Sequence, residues 1–280
     1  MTPLKKRMLE DMRIRNYASS TERAYASEVT RFAQHYRRSP EKLGAEEIRV
    51  YLVHLVDQQK ISASRFAIVS AALRFLYTVT LGQEWMAKHI PYPKRHQKLP
   101  VILSPQEVQM LVAAAKNLRD RTILAVLYGT GMRVSELVDL KVADIDSKLM
   151  VIRIRNGKGK KERQVMLSPA LLVLLRRYWK AYRPANHLFL SRLGKPLGAM
   201  SVQTICRTAG QAAGIRVQVS PHILRHCFAS SALDLGVDIR RLQLLLGHAS
   251  IRTTAIYLHV ATEQIRTTPS PYELIASAIA

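Results

Sequence analysis

Cysteine is almost absent from this sequence: Cys206 and Cys227 are the only two in 280 residues. Two thiols exclude a disulfide framework and a cysteine-based zinc site, and they fit a reducing compartment. Long apolar runs are missing too. Stretches such as LLVLL at 171–175 fall far short of the roughly 20 residues that cross a bilayer. The opening MTPLKKRMLEDMRIRNY is charged throughout, Glu10 and Asp11 included, and lacks the apolar centre of a signal peptide. The expectation is a reduced, cytoplasmic protein with no membrane partner. Acid is the third scarcity: 20 Asp and Glu stand against 43 Lys and Arg, a formal +23 with a pI near 10.5. Such a surplus repels itself and favours a polyanion, most simply nucleic acid, with membrane surfaces and ribosomal RNA as competitors.

Apolar residues make up 48% of the chain, enough for a sizeable core, and the length suits one large domain or two ordinary ones. No internal repeat or low-complexity tract is visible. SSTERAYASEVTRFAQHYRR, 19–38, opens with Ser19 followed by Glu22, the pattern of a capping box. Tyr25, Val29, Phe32 and Tyr36 recur at helical steps and read as one core face rather than as base-stacking groups. A second helix is predicted over 45–58 and a third over 62–80, the latter interrupted by Arg65 and Arg74. The proline-rich, basic IPYPKRHQKLPVILSP then reads as an extended linker. Both sides of it are basic, with 17 Lys and Arg against 9 Asp and Glu up to residue 97, and 26 against 11 beyond. That balance points to two domains sharing one polyanion, such as a clamp around a duplex.

Beyond the linker, SPQE at 104–107, SPALL at 168–172 and SPHIL at 220–224 each place Ser at a helix cap and Pro at the first helical position. Between them, LMVIRIRNGKGKKERQVML has strand alternation. Ile152 and Ile154 oppose Arg153 and Arg155, Asn156-Gly157 supplies a hairpin turn, and Val165 and Leu167 resume the pattern. The second domain is expected to be mostly helical with one strongly basic hairpin.

Four stretches concentrate the chemistry. In YGTGMRVSEL, 128–137, a glycine turn opens a helix with Arg133 in its first turn and Glu136 one turn on. A cation there opposes the helix dipole unless an anion binds, so Arg133 is either an anion ligand or a surface partner of Glu136. Lys158 sits at the tip of NGKGKKER. A P-loop is excluded, because no GxxxxGK(S/T) pattern is present and a strand follows, leaving a solvated turn or a lysine reaching into a groove. In SPHILRHCFA, 220–229, His222 and Arg225 share a helix face near an N-terminus. His222 and His226 imitate a zinc pair, but Ile223 stands where a metalloprotease has Glu and no third ligand is evident. His226 reads as a packed or hydrogen-bonded core histidine, and no metal site is expected. The last stretch, LLGHASIRTTAIYLH at 245–259, holds His248 and, nine residues later, Tyr257, one of 11 tyrosines. Spacing within that stretch leaves open whether Tyr257 is core or nucleophile.

Taken in order, Arg133, Lys158, His222-x-x-Arg225, Gly247-His248 and Tyr257 resemble the tyrosine recombinase (phage integrase) family. The local words GTGMRVSEL, GKGKKER, PHILRH, LLGH and YLHV fit as well, and the N-terminal half is similar to the family's core-binding domain. The resemblance implies a mainly α protein with a small β component: an all-helical, SAM-like core-binding domain over 1–92, a linker over 93–100 and an α+β catalytic domain over 101–280, forming a C-shaped clamp on DNA. It implies site-specific cutting and rejoining of double-stranded DNA through a 3′-phosphotyrosine, with no cofactor, neither metal nor ATP. Arg133, Arg225 and His248 would hold the phosphate, Lys158 would protonate the leaving oxygen, and His222 would orient the phosphate or take the tyrosine proton. Tyr257 would attack, with Glu136 holding Arg133. Arg65, Arg74, Arg153, Arg155, Lys160, Lys161 and Arg163 are candidate DNA contacts, and a homotetramer on paired sites is the implied assembly. An accessory DNA-bending protein would remain unidentified.

The pattern departs from the family in places. No arm-binding domain precedes the helical half, so a two-domain, Xer-like layout is expected. The segment 191–220 lacks the insertion of integron integrases, and the tail TTPSPYELIASAIA lacks the basic ending of the chromosome-resolving members. Those departures favour an integrase of a mobile element. Cys227 stands where the family often has Ser or Thr. Rival readings are a type IB topoisomerase with the same chemistry, a catalytically silent DNA-binding regulator, and a metal-dependent nuclease built on Asp144 and Asp146.

Overall fold

Helix caps written into the sequence set most element boundaries. The computed structural model describes residues 2–92, 100–155 and 162–258, and the chain divides into two compact units, Met1–Gln97 and Lys98–Ala280. The expected linker, save residue 100, lies outside the described residues, as does the Asn156-Gly157 turn. Among the described residues no helix is long and apolar enough to cross a membrane.

The first unit is helical: α1 (Pro3–Ile14), α2 (Ser19–Tyr36), α3 (Ala45–Asp57) and α4 (Ala63–Phe75), which runs into a π-helical turn, Leu76–Thr80. Helix α1 is an addition to the sequence reading. Thr2 caps it, Pro3 opens it, and Met8 and Met12, one turn apart, are fully buried. On α2 the expected face is apolar core: Phe32 and Val29 are buried, with Tyr25 and Tyr36 packed against the cluster. The capping box is a correction. Ser19 is already helical, Ala18 is the cap and makes no side-chain bond, and Glu22 reaches Arg13 at 3.6 Å instead.

Two of the arginines read as DNA contacts face inward commitments here. Arg74 donates through one nitrogen to the carbonyls of Ala87 and Ile90 and lies 3.9 Å from the centroid of the Tyr92 ring. Its guanidinium closes the end of the first unit onto α4, which corrects the expectation that Arg74 is a DNA contact. Arg65 faces the buried Glu28 at 3.6 Å but keeps about a third of its side chain, 37%, in solvent.

The second unit comprises α5 (Pro105–Ala113), α6 (Leu118–Thr130), α7 (Val134–Val138), a small sheet, then α8 (Pro169–Tyr182), α9 (Ala199–Ala212), α10 (Pro221–Asp234), α11 (Ile239–Leu246) and α12 (Ile251–Ala255). Ser104, Ser168 and Ser220 cap α5, α8 and α10 as their Ser-Pro pairs foretell, and Ser104 forms a reciprocal box with Glu107. The sheet is antiparallel in the order β1 (Ile145–Asp146), β2 (Val151–Ile154), β3 (Arg163–Met166). Strand β1 is one more than the hairpin expected. The β2–β3 register sets Ile152 opposite Val165 and Ile154 opposite Arg163. Directly paired residues share a face of a sheet, so Arg163 points inward with the buried Ile152, Ile154 and Val165.

Helix α10 packs across α6, and one glycine permits it. Gly131, the cap of α6, has φ +61°, and a Cβ there would meet Phe228 Cδ1 at 2.2 Å. Gly131→Ala is therefore expected to destabilise the protein by at least about 2 kcal/mol, from left-handed strain and overpacking together. A denaturant midpoint unchanged from wild type would refute this.

Candidate active site

The C-terminus of α11 gathers the site. The last carbonyls of a helix have no partner within it, and the dipole makes that end attractive to cations. Here three arginines from three other segments take three consecutive carbonyls: Arg163 Nε donates to Leu245 at 2.9 Å, Arg225 Nη2 to Leu246 at 2.6 Å and Arg133 Nη2 to Gly247 at 3.2 Å. Gly247 turns the chain at φ +62° immediately beyond, which brings His248 back to the same place.

Arg133 caps α7, and its N–H donates to Glu136 Oε2 at 2.7 Å while its Nη1 donates to Oε1 at 2.9 Å. Glu136 thus holds both the backbone and the guanidinium of Arg133. Its side chain is only 1% exposed. Burial pushes its pKa up, but hydrogen bonds from Arg163 and from the Arg133 backbone and side chain outweigh that and hold it below the usual carboxylate range. On α10, Arg225 is buried and spans two chain segments, with Nη1 donating to Gly131 O at 2.6 Å. Burial, followed by repulsion from Arg133, lowers it to about 10, so it stays cationic at neutral pH. Three guanidiniums against one carboxylate leave the cluster cationic, as a site for an oxyanion requires.

His248 Nε2 lies 3.1 Å from Arg225 Nη2, and its Nδ1 2.9 Å from Thr254 Oγ1. A guanidinium only donates, so Nε2 accepts and the proton sits on Nδ1, facing Thr254. His248 is accordingly neutral, its pKa lowered to about 4 by burial first and then by Arg225, Arg133 and Arg163. Tyr257 follows α12 and is 2% exposed, packed with Phe228, Leu242 and Leu246. Its hydroxyl is 2.8 Å from His226 Nδ1. His226 is also lowered to about 4, by burial, then by His222 and Arg225, and a neutral imidazole accepts the phenol's hydrogen bond. Burial raises the Tyr257 pKa, and the charges of Arg225 and Arg133 pull against that. His222 is exposed, its ring edge-on to His226 at 5.1 Å between centroids.

Neutral buried histidines make stability depend on pH. Unfolded, His226 and His248 titrate near 6.5; folded, near 4. The unfolded chain binds more protons between these values, so stability present above about pH 6.5 is lost as pH falls toward 4. The unfolding temperature is expected to drop across that window, and less steeply in the double variant His226→Gln, His248→Gln. Equal slopes for the two proteins would remove the histidines from the explanation.

The structure brings Arg133, Glu136, Arg225, His248 and Tyr257 together, with His222 at the open side. Lys158, Lys160 and Lys161 lie outside the described residues. Arg153 on the outer face of β2 and Arg155 just past its end are half exposed, bonded to Asp146 and Asp144 respectively. Those two carboxylates are thereby committed to the hairpin rather than to a nuclease centre, and no three His, Cys, Asp or Glu among the described residues gather as metal ligands. Arg163 is the clear correction among the expected DNA contacts: its side chain is 10% exposed and forks onto Glu136 at 2.8 and 2.7 Å. Sequence reasoning missed the partner of His226 and the role of Thr254. Cys227, buried, accepts a hydrogen bond from Leu103 N.

Comparison with known proteins identifies the family. The model of the phage integrase family matches residues 102–264, and that of the phage integrase N-terminal SAM-like domain matches residues 4–87. An integrase/recombinase of Sinorhizobium fredii, y4qK, is 46% identical over 98% of this chain and 90% of its own. Tyrosine recombinase XerD of Staphylococcus aureus is 34% identical over 89% of this chain and 90% of its own. Among solved structures, XerH recombinase bound to a palindromic difH substrate superposes with a TM-score of 0.76 at 24% identity, covering 92% of this chain and 82% of that one. That superposition places this chain, with its helical SAM-like unit and its mainly helical unit bearing a small sheet, in the same fold. The chain belongs to the phage integrase family, the tyrosine-type site-specific DNA recombinases.

Proposed function

We propose that the protein exchanges DNA strands at specific duplex sites through a covalent 3′-phosphotyrosine at Tyr257. The observation that carries the reading is the cationic cluster at the end of α11, with Arg133 and Arg225 beside His248 and the Tyr257 hydroxyl held by the next histidine of α10. A phosphodiester resists attack because it is anionic and its 5′ leaving oxygen is strongly basic. Permanently charged fork donors on the non-bridging oxygens answer the first difficulty, with no need of a metal. Lys158 answers the second as general acid. The Tyr257 oxygen bonds to phosphorus, the P–O5′ bond breaks, and the 5′ oxygen leaves with a proton from Lys158. His222 orients the phosphate or takes the tyrosine proton. The phosphotyrosine keeps the bond energy, so a 5′ hydroxyl of a second strand reverses the step without ATP.

In this reading residues 1–92 form the core-binding domain, 93–100 the linker and 101–280 the catalytic domain. Arg65, Arg153 and Arg155, with Lys160 and Lys161, position phosphates of the duplex. The active species is a tetramer on paired sites, acting in the cytoplasm for a mobile element. The 46% identity to an integrase/recombinase of Sinorhizobium fredii supports that role.

The test uses duplex DNA from both sides of the protein's own gene, excess chelator and a detergent quench. A protein–DNA adduct whose phosphate maps to Tyr257 is the expected product. An adduct on another residue, or none on any flanking DNA, would overturn the reading.

A further inference from the structure

The cluster at the end of α11 contains one arginine for which the proposed reaction has no use. Arg163 begins β3, and the Ile154 pairing turns it inward. All three of its guanidinium nitrogens are engaged: Nε with Leu245 O at 2.9 Å, Nη1 with Glu136 Oε1 at 2.8 Å and Nη2 with Glu136 Oε2 at 2.7 Å. Each nitrogen is turned to a protein acceptor, and only 10% of the side chain is exposed.

Glu136 divides itself between two arginines. Its Oε1 accepts from Nη1 of both Arg133 and Arg163, and its Oε2 from the Arg133 N–H and Arg163 Nη2. A lone carboxylate beside a lone guanidinium closes into a two-bond fork and neutralises it. Arg163 occupies both carboxylate oxygens from the other side and fixes their rotation, so Arg133 gives Glu136 one side-chain nitrogen and keeps Nη2 on the Gly247 carbonyl. The same guanidinium underlies the turn that carries His248. A Cβ on Gly247 would lie 3.1 Å from Arg163 Cδ and 3.2 Å from its Nε and Nη1. A side chain there would push the arginine aside by a few tenths of an ångström, at a left-handed φ of +62° that glycine favours.

We propose that Arg163 is a positioning residue for phosphoryl transfer, one that contacts no DNA and aims Arg133 and His248 through Glu136 and the Leu245 carbonyl. The inference rests on the function proposed above and names how its site is held in register.

The experiment measures two quantities for wild type, Arg163→Met and Arg163→Lys: affinity for the cleavage-site duplex over a range of salt, and the single-turnover rate of adduct formation in the saturated complex. Arg163→Met is expected to slow adduct formation about 100-fold, the scale on which small misplacements of reacting groups are felt. Affinity should stay within about threefold and the salt slope should not change. Arg163→Lys, with the charge but no fork, should recover only a minor part of the rate. Glu136→Gln and the double variant Glu136→Gln, Arg163→Met complete a cycle. Because Arg163 works in part through Glu136, removing it from the Glu136→Gln protein should slow the reaction by well under the roughly 100-fold expected in the wild-type background. The double variant carries no buried unpaired carboxylate, so it reports even if Arg163→Met alone fails to fold. A weakened affinity with the salt slope lower by about 0.9 would make Arg163 a phosphate contact and overturn the proposal. So would an undiminished rate in the saturated complex, or multiplicative effects in the cycle. Absence of any adduct with wild type on flanking DNA would instead overturn the proposed function, and the positioning role with it.

Discussion

Tyr257→Phe is expected to abolish covalent adduct formation while leaving DNA binding intact. Removing a nucleophile without an alternative costs roughly 10⁴-fold or more, and phenylalanine differs only by the oxygen that would carry the phosphate. The packing argues that the variant folds. Tyr257 is 2% exposed among Phe228, Leu242 and Leu246, and its hydroxyl has His226 as its partner. Losing that one hydrogen bond costs about 1 kcal/mol, and His226, already neutral, is left with a lone pair rather than a buried charge. Adduct yield on a gel, with binding measured in parallel, makes the comparison. Adducts from the variant at the wild-type rate would mean that Tyr257 is a core residue and nothing more. The burial also sets a condition on the chemistry: the hydroxyl must exchange His226 for phosphorus when DNA is in place.

Arg225→Lys carries the second largest expected effect, a fall of about 10²–10³-fold in the adduct-forming step, the scale of losing one transition-state donor from a prepared site. The charge is nominally conserved, so the argument is geometric and electrostatic. Arg225 simultaneously donates to Gly131 O, to Leu246 O and toward His248 Nε2. An ammonium has three donors but no planar fork, and it cannot span carbonyls of two separate chain segments. Burial already brings Arg225 down to about 10. A lysine begins lower and meets the same burial and the same neighbouring Arg133, so its charge is in part lost near neutrality. The variant should therefore lose rate further as pH rises from 7 to 9, where wild type does not. A variant with wild-type rate and an unaltered pH profile would contradict the assignment of Arg225 to the phosphate.

Much of this was legible in the chain. The three Ser-Pro caps, the Ile152, Ile154 and Val165 alternation, and the apolar face of α2 were fixed by local rules, and the structure keeps all three. The capping-box pattern at Ser19 was also local, yet the helix starts a residue early, because Glu22 finds Arg13 of α1 instead. Arg163 is the instructive case. Its neighbours in GKGKKER suggest a solvated basic run, whereas its distance of two residues from Val165 already placed it on the inner face of the strand. The basic run points Arg163 outward and strand periodicity points it inward, and periodicity prevails because the β2–β3 pairing fixes the face.

The order of Arg133, Lys158, His222, Arg225, His248 and Tyr257, the basic balance, and the division into a helical half and a mixed half are properties the linear sequence determined by itself. They depend on residue type and spacing, and local physics reads both. The meeting of three arginines on the carbonyls of Leu245, Leu246 and Gly247 was decided only by the tertiary structure. Those groups lie between 21 and 114 residues apart, and no local preference sets their distance. What sets it is the close approach of α10 to α6 over Gly131, the inward face of β3, and a helix end whose unsatisfied carbonyls needed donors.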